Sequence, residues 1–210
     1  MLIVVAAFAG SAIVYSRLPA TMPTHWDASG HPNGWGNRFF GAWLLPIFLL
    51  GMWALVRVLP AVDPRGANYA KFGGAFEAMI VTIMLFMLGL HVFVLRAALG
   101  YPVAMERVLP FGIGILFVVI GSLLPRAQPN WFIGIRTPWT LSSDRVWEKT
   151  HRLGGRLLVT TGALTVLAAL AIPSRAHIVM IAAVALCAVG TVVYSYVEWS
   201  REQSATDLRD

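Results

Sequence analysis

His25, Asp27 and His31 fall within one short stretch, "LPATMPTHWDASGHPNGWGNR", residues 18–38, lying between two apolar runs. Imidazole and carboxylate are zinc-type ligands, so zinc is the metal to consider if the three converge. The spacing His-x-Asp-x3-His is not an established metal pattern, and a fourth ligand would have to come from elsewhere, with Glu106 and His91 as the available donors. A second reading needs no metal. Asp27, followed by Ser29 and Gly30, closes an Asx-type turn on its own backbone, and His25 serves as a hydrogen-bonding partner. Pro19, Pro23 and Pro32 fix backbone angles, while Gly30, Gly34 and Gly36 permit angles that other residues avoid. Trp26 and Trp35 suit the headgroup level of a bilayer, where an amphipathic ring meets both phases. The candidate ligand-binding set of this loop is therefore His25, Trp26, Asp27, His31 and Trp35, and apart from that zinc no cofactor is expected.

A second patterned stretch is "PNWFIGIRTPW", residues 129–139. Its Pro and Gly bend the backbone, and Trp131, Phe132, Ile133 and Ile135 are expected to dip into the membrane interface or the mouth of a bundle. Asn130 and Arg136 would then be polar tips facing water or a partner. Beyond Pro138 a helix begins, with Ser142 or Ser143 as its cap and Asp144 favouring its positive end. Trp147 and His151 are one turn apart, as are Glu148 and Arg152. The pattern describes an amphipathic helix on the membrane surface, running through Gly154-Gly155 into the next span. A plain connector explains this as well as a docking surface does; length and pattern favour docking. The candidate partner-binding residues are Asn130, Trp131, Gly134, Arg136, Thr137, Trp139, Trp147 and His151.

The elements that carry these loops are membrane helices. Of 210 residues, 58% are hydrophobic and 12% charged, about half the charge of a soluble domain. A helix crossing the hydrocarbon core needs about 20 mostly apolar residues, and six segments approach that: 1–16, 39–59, 72–95, 108–124, 153–172 and 178–197. The first lacks the cationic start of a signal peptide and reads as a span. The linker "PAVDPRGANYAKF" and the link "PSRAH" read as simple turns. Cys187, the single cysteine, sits in an apolar run as a small filler. Glu77 and His91 are the intramembrane polar positions. Glu77 suits a salt bridge to Lys71 or Arg57; His91 suits either a site under the first loop or a neutral hydrogen bond.

Six spans put both termini on one side. That side carries 11 of the 16 Lys and Arg, the other 5, so the richer side is expected in the cytoplasm. The loop 17–38 then faces outward and the loop 125–152 inward, and the positive charge is explained without nucleic acid. The expected fold is an all-α membrane protein, a six-helix bundle in two halves, 1–105 and 106–210. Leu18-Pro19-x3-Pro23 and Leu124-Pro125-x3-Pro129 echo each other after the first span of each half, which makes an inverted pair of three-helix halves a candidate arrangement.

"LPATMPTHWDASGHPNGWG" resembles the outer-loop module of bacterial SdpI-type membrane proteins. "QPNWFIGIRTPWTLSSDRVWEKTHRLGG" is similar to the signature of their C-terminal half, where Asn130, Gly134, Arg136, Thr137, Pro138, Trp139, Thr140, Trp147 and His151 match together. The resemblance implies a multi-pass protein of the bacterial plasma membrane. It also implies immunity to a secreted toxin or antimicrobial peptide that attacks membranes, and signalling through a cytosolic transcriptional repressor. Two other classes remain open: a small transporter or channel, and a metal-dependent membrane enzyme. No nucleophile–base pair supports catalysis, so the expectation is a binding protein with no catalytic residues.

Overall fold

A computed structural model describes residues 1–27 and 30–207 of the chain. Ser29, expected in the first turn, and Arg209, counted with the cytoplasmic charges, lie outside the described residues. The helices are α1 (Leu2–Val14), α2 (Arg38–Val62), α3 (Tyr69–Ala98), α4 (Met105–Leu123), α5 (Pro138–Ser142), α6 (Asp144–Ala171) and α7 (Pro173–Asp207). Five of them, α2, α3, α4, α6 and α7, are long and apolar enough to cross a membrane, while the run Leu2–Arg17 is a shorter apolar helix. Their outer faces show Leu44, Phe48, Leu164, Leu167 and Leu186, a surface suited to hydrocarbon rather than water. The architecture is that of an all-α membrane protein with one small addition.

The addition corrects the reading of residues 17–38 as a loop without strands. Strands β1 (Thr21–Trp26) and β2 (Pro32–Asn37) form an antiparallel hairpin, with Thr21 opposite Asn37, Met22 opposite Gly36 and Pro23 opposite Trp35. The register shifts around His25. Proline and glycine hid the strands from sequence reading because both are depleted in sheets. A two-stranded ribbon tolerates them: every residue lies on an edge. Gly34 is required for contact, since a Cβ there would lie 2.7 Å from His25 Cβ.

Helix α2 starts where the Asn37 side chain accepts a hydrogen bond from the Phe40 amide at 2.8 Å. Pro46 then sits inside it. Proline has no N–H, so the Ala42 carbonyl four residues earlier loses its helical donor, and in a bilayer no water replaces it. Ser11 of α1 does: its hydroxyl donates to Ala42 O at 2.6 Å. His91 of α3 lies 2.8 Å from the same Ser11 oxygen through Nε2. Since the hydroxyl proton is used on Ala42, Nε2 is the donor of that second bond. All of Ser11, Pro46 and His91 are buried, and the clasp joins α1, α2 and α3.

The other half packs more closely. A Cβ on Gly114 would lie 2.8 Å from Gly162 O, and one on Gly162 would lie 2.5 Å from Gly114 O. Two turns along, a Cβ on Gly121 would lie 2.8 Å from Gly155 O, and one on Gly155 would lie 2.7 Å from Gly121 O. Helices α4 and α6 are therefore antiparallel and touch backbone to backbone at two levels, the small-residue packing that membrane helices use in place of a hydrophobic drive. Gly154 and Gly155 are thus contact positions inside one continuous helix, not the junction between a surface helix and a span.

Loops gather at two ends. At one end the hairpin meets the α3–α4 turn: Gly30 abuts Glu106, and Trp26, Trp35 and Tyr101 wall a common cavity. At the other, the α2–α3 linker meets the segment between α4 and α6, where Asn68 bonds Pro129 O. These are called the hairpin end and the loop end below.

Replacing Ser11 with Ala should strand the Ala42 carbonyl and lower stability by about 1–3 kcal/mol. Adding Pro46→Ala restores the helical N–H, so the double variant should unfold at a higher temperature than Ser11→Ala alone, as followed by intrinsic fluorescence in detergent.

Candidate functional site

The loop end is built around two buried polar side chains. Asn130 is fully buried. Its amide donates to Gln128 O and Ile133 O, both at 2.9 Å. Its carbonyl oxygen accepts from the amides of Phe132 at 2.9 Å and Ile133 at 2.6 Å. Every hydrogen-bonding group of the side chain is thus spent on bending the backbone of residues 128–133 around it. Beside it lies Asp63 from the α2–α3 linker, also buried. One carboxylate oxygen accepts from the Arg65 amide at 2.8 Å; the other accepts from Tyr69 Oη at 3.0 Å and the Trp131 amide at 2.9 Å. A buried carboxylate needs such donors. Arg65 completes the joint, pairing with Asp144 Oδ1 at 2.7 Å.

From the other side α6 holds the same loop. The Ile135 amide donates to His151 Nε2 at 2.9 Å, and His151 Nδ1 lies 2.8 Å from Trp147 O. A backbone N–H requires an unprotonated Nε2, so the ring is the neutral tautomer carrying its proton on Nδ1. The Trp147 ring stacks on His151 at 4.0 Å and donates Nε1–H to Ala127 O at 2.8 Å. Gly134 passes over this pair at φ 121°, where a Cβ would lie 2.3 Å from His151 Nε2, so no other residue fits there. Thr137 and Thr140 close the capping box that starts α5, and Thr137 Oγ1 reaches Ser195 of α7 at 3.1 Å. Ser143 caps α6, accepting from the Val146 amide at 3.2 Å.

The candidate partner-binding set therefore divides. Asn130, Thr137, Trp147 and His151 are buried, and Gly134 is held against them. Asn130 is not a polar tip, and the start of α6 is not an amphipathic helix lying free on the surface. The burial of Trp147 and His151 is what the sequence did not reveal: one turn apart, they looked like one face of a surface helix. Trp131, Phe132 and Arg136 are exposed, with Arg136 donating to Trp131 O at 2.7 Å. Trp139 is half-buried against Tyr196, ring centres 5.2 Å apart. Asp63, Arg65, Asn68 and Tyr69, which do as much to shape this end, were read as a plain linker; an Asp directly ahead of Pro64, followed by Asn and Tyr, was the available signal.

At the hairpin end His25 Nδ1 lies 2.5 Å from Asn33 Oδ1 across the ribbon. Asp27 Oδ1 accepts from the His31 amide at 3.0 Å, and the Asp27 amide donates to His31 O at 2.9 Å; the carboxylate thus bonds its own backbone four residues on, whereas an Asx-type turn bonds two residues on, at Ser29, outside the described residues. The His31 ring is 3.9 Å from Asp27 and largely exposed. His25, Asp27 and His31 do not gather round a point: among the described residues no three His, Cys, Asp or Glu stand together as a metal would need. His91 lies one turn from Leu95, which shares a buried cluster with Met22 of the hairpin, and its ring is held in the Ser11 clasp. Trp26 packs on Leu18, Met22, Val94 and Leu95, whereas Trp35 is 61% exposed. Glu77 forms no salt bridge with Lys71 or Arg57: Lys71 bonds Asn68 Oδ1 at 2.9 Å, and the Arg57 guanidinium lies over Trp53.

Residues 126–195, from the loop end through α7, match the SdpI/YfhL protein family. Over those residues the chain is similar to the SdpI-like family. Residues 2–50, which hold the hairpin, match a second family described as a domain of unknown function (DUF1648). "Immunity protein SdpI" of Bacillus subtilis (strain 168) is 27% identical over 196 residues, covering 93% of this chain and 92% of that protein. No solved structure matches the chain. Helix length and composition, with this likeness, support a membrane-integral protein similar to the SdpI-like family. The SdpI-like signature residues are mostly those that fold the loop end.

Asn130→Asp keeps the shape but replaces two donors with acceptors and puts a carboxylate beside Asp63. It should cost several kcal/mol, more than Asn130→Ala, because burying an unpaired charge exceeds the loss of a hydrogen bond. His151→Phe retains the stack on Trp147 but leaves the Ile135 amide unpaired, for about 1–3 kcal/mol. Both variants should show faster protease cleavage within residues 127–137.

Proposed function

We propose that this SdpI-like protein gives immunity to a secreted membrane-active peptide, crossing the plasma membrane six times with both termini in the cytoplasm. The observation that carries the reading is the likeness along nearly the whole chain to a protein named for immunity. The division of charge supports the orientation: the described Lys and Arg concentrate at the loop end, with only Arg17, Arg38, Arg96, Arg107 and Arg175 towards the hairpin end. The peptide is met outside by the hairpin, where Trp26, Trp35 and Tyr101 wall a cavity of about 280 Å³ and where His25, Asp27 and His31 supply polar contacts. Inside, Trp131, Phe132 and Arg136 offer a cytosolic transcriptional regulator an exposed apolar and cationic surface held in one shape by Asn130 and His151. The role is binding rather than catalysis, and a signal across the membrane requires that the peptide favour one of two states of the bundle.

Expression of the chain in a sensitive bacterium should raise survival against at least one member of a panel of membrane-active peptides. Trp35→Ala, present at the same level in the membrane, should lose about tenfold of that protection in peptide dose, as expected of one exposed aromatic anchor. Unchanged survival across the panel would refute the immunity role. For orientation, a membrane-impermeant maleimide should label His31→Cys on intact cells in a Cys187→Ser background, and label Ser142→Cys only after permeabilisation; the reverse pattern would overturn the arrangement.

A further inference from the structure

Near the loop end a cleft of about 390 Å³ opens between α2 and α3, with Ile3 of α1 at its edge. Val56, Phe76, Ile80 and Met84 give it apolar walls. Two opposite charges share it, Arg57 of α2 and Glu77 of α3. Arg57 does not reach towards the end of its helix. Its guanidinium lies back over the Trp53 ring, 5.4 Å from the centroid, and Trp53 is one turn nearer the middle of the bundle. The contact between Tyr69 and Asp63 at 3.0 Å sets a common level for the two helices. Measured from there at 1.5 Å per residue, Glu77 lies about 12 Å inward and the guanidinium, between residues 57 and 53, about 9–15 Å inward. The two charges are level, yet no ion pair joins them. The indole Nε1–H of Trp53 is buried in the same cleft wall and also has no partner.

A cation, an anion and an unused N–H donor at one depth, above an apolar wall, are costly in a bilayer if nothing satisfies them. The wall from Gly73 to Met84 runs for about 16 Å along α3, enough for part of an acyl chain. We propose that this cleft binds one phospholipid with a primary-amine headgroup, of the phosphatidylethanolamine type. Its phosphate meets Arg57 and the Trp53 N–H, its ammonium donates to Glu77, and one acyl chain lies along Phe76, Ile80 and Met84. The charges select among lipids. An anionic glycerol headgroup satisfies Arg57 but offers Glu77 only neutral hydroxyl donors and no cation, and a choline headgroup carries its charge without an N–H to give.

The test is native mass spectrometry of the full chain in detergent, titrated separately with palmitoyl-oleoyl phosphatidylethanolamine, phosphatidylglycerol and phosphatidylcholine. The expected result is one lipid retained per chain, with the ethanolamine lipid held about tenfold more tightly than either of the others. Glu77→Gln should abolish that preference while Glu77→Asp keeps it. Arg57→Gln should weaken all three lipids. Leu164→Ala, on the outer face of α6, should change nothing. Thermal unfolding of each variant separates lost binding from lost folding. Equal retention of the three lipids by the unaltered chain, or a preference that survives in folded Glu77→Gln, would overturn the proposal.

Discussion

Two helices of this bundle meet backbone to backbone. Gly114 meets Gly162 and Gly121 meets Gly155, so α4 and α6 run against each other with no side chain between them. Much at the loop end depends on that distance. Gly155 also abuts Pro125, the second residue of the 3-10 turn Leu124–Arg126 that ends α4. From there the chain is close enough for Ala127 O to reach Trp147 and for the Ile135 amide to reach His151. With larger residues at the four glycines the helices would separate, and both bonds would be stretched beyond hydrogen-bonding length.

Where water is excluded, each backbone group needs a partner, and the chain supplies one from a distance. Pro46 leaves Ala42 O without a helical donor, and Ser11, 31 residues earlier, provides it. Asn130 takes four backbone groups of a loop that has no regular secondary structure. Asp63 receives the Trp131 amide from 68 residues away. The Asn130 bonds are local, but the Asp63 bond spans the two halves, which thus meet through polar contacts at the loop end as well as through the apolar packing of α3 on α4. Whatever surface Trp131, Phe132 and Arg136 present is thus rigid by construction.

The spans were legible because hydrocarbon sets their length and composition directly: 39–59, 72–95 and 178–197 each fall within one long helix, and 108–124 and 153–172 each overrun theirs by one residue. The start of α6 was legible from Ser143 and Asp144 for the same kind of local reason. The hairpin was not, because the residues that permit its tight ribbon, Pro23, Pro32, Gly34 and Gly36, are those that argue against strands when read alone. The burial of Asn130, Trp147 and His151 was not legible either. A polar residue in a polar-looking loop reads as exposed, and only the partners brought by folding show that it faces inward. Residues that looked suited to gripping something else, His151 and Asn130 above all, grip their own chain. Glu77, read as half of an ion pair, lies exposed beside Arg57 in the α2–α3 cleft without pairing to it.

At the centre of this account is a loop of irregular backbone that is as fixed as the helices beside it. Hydrogen–deuterium exchange of the intact protein in lipid nanodiscs measures that directly. The amides of Trp131, Ile133 and Ile135, bonded to Asp63, Asn130 and His151, should exchange as slowly as those in the middle of α4 and α6. Exchange at the rate of an unstructured peptide, while the two helices stay protected, would contradict it.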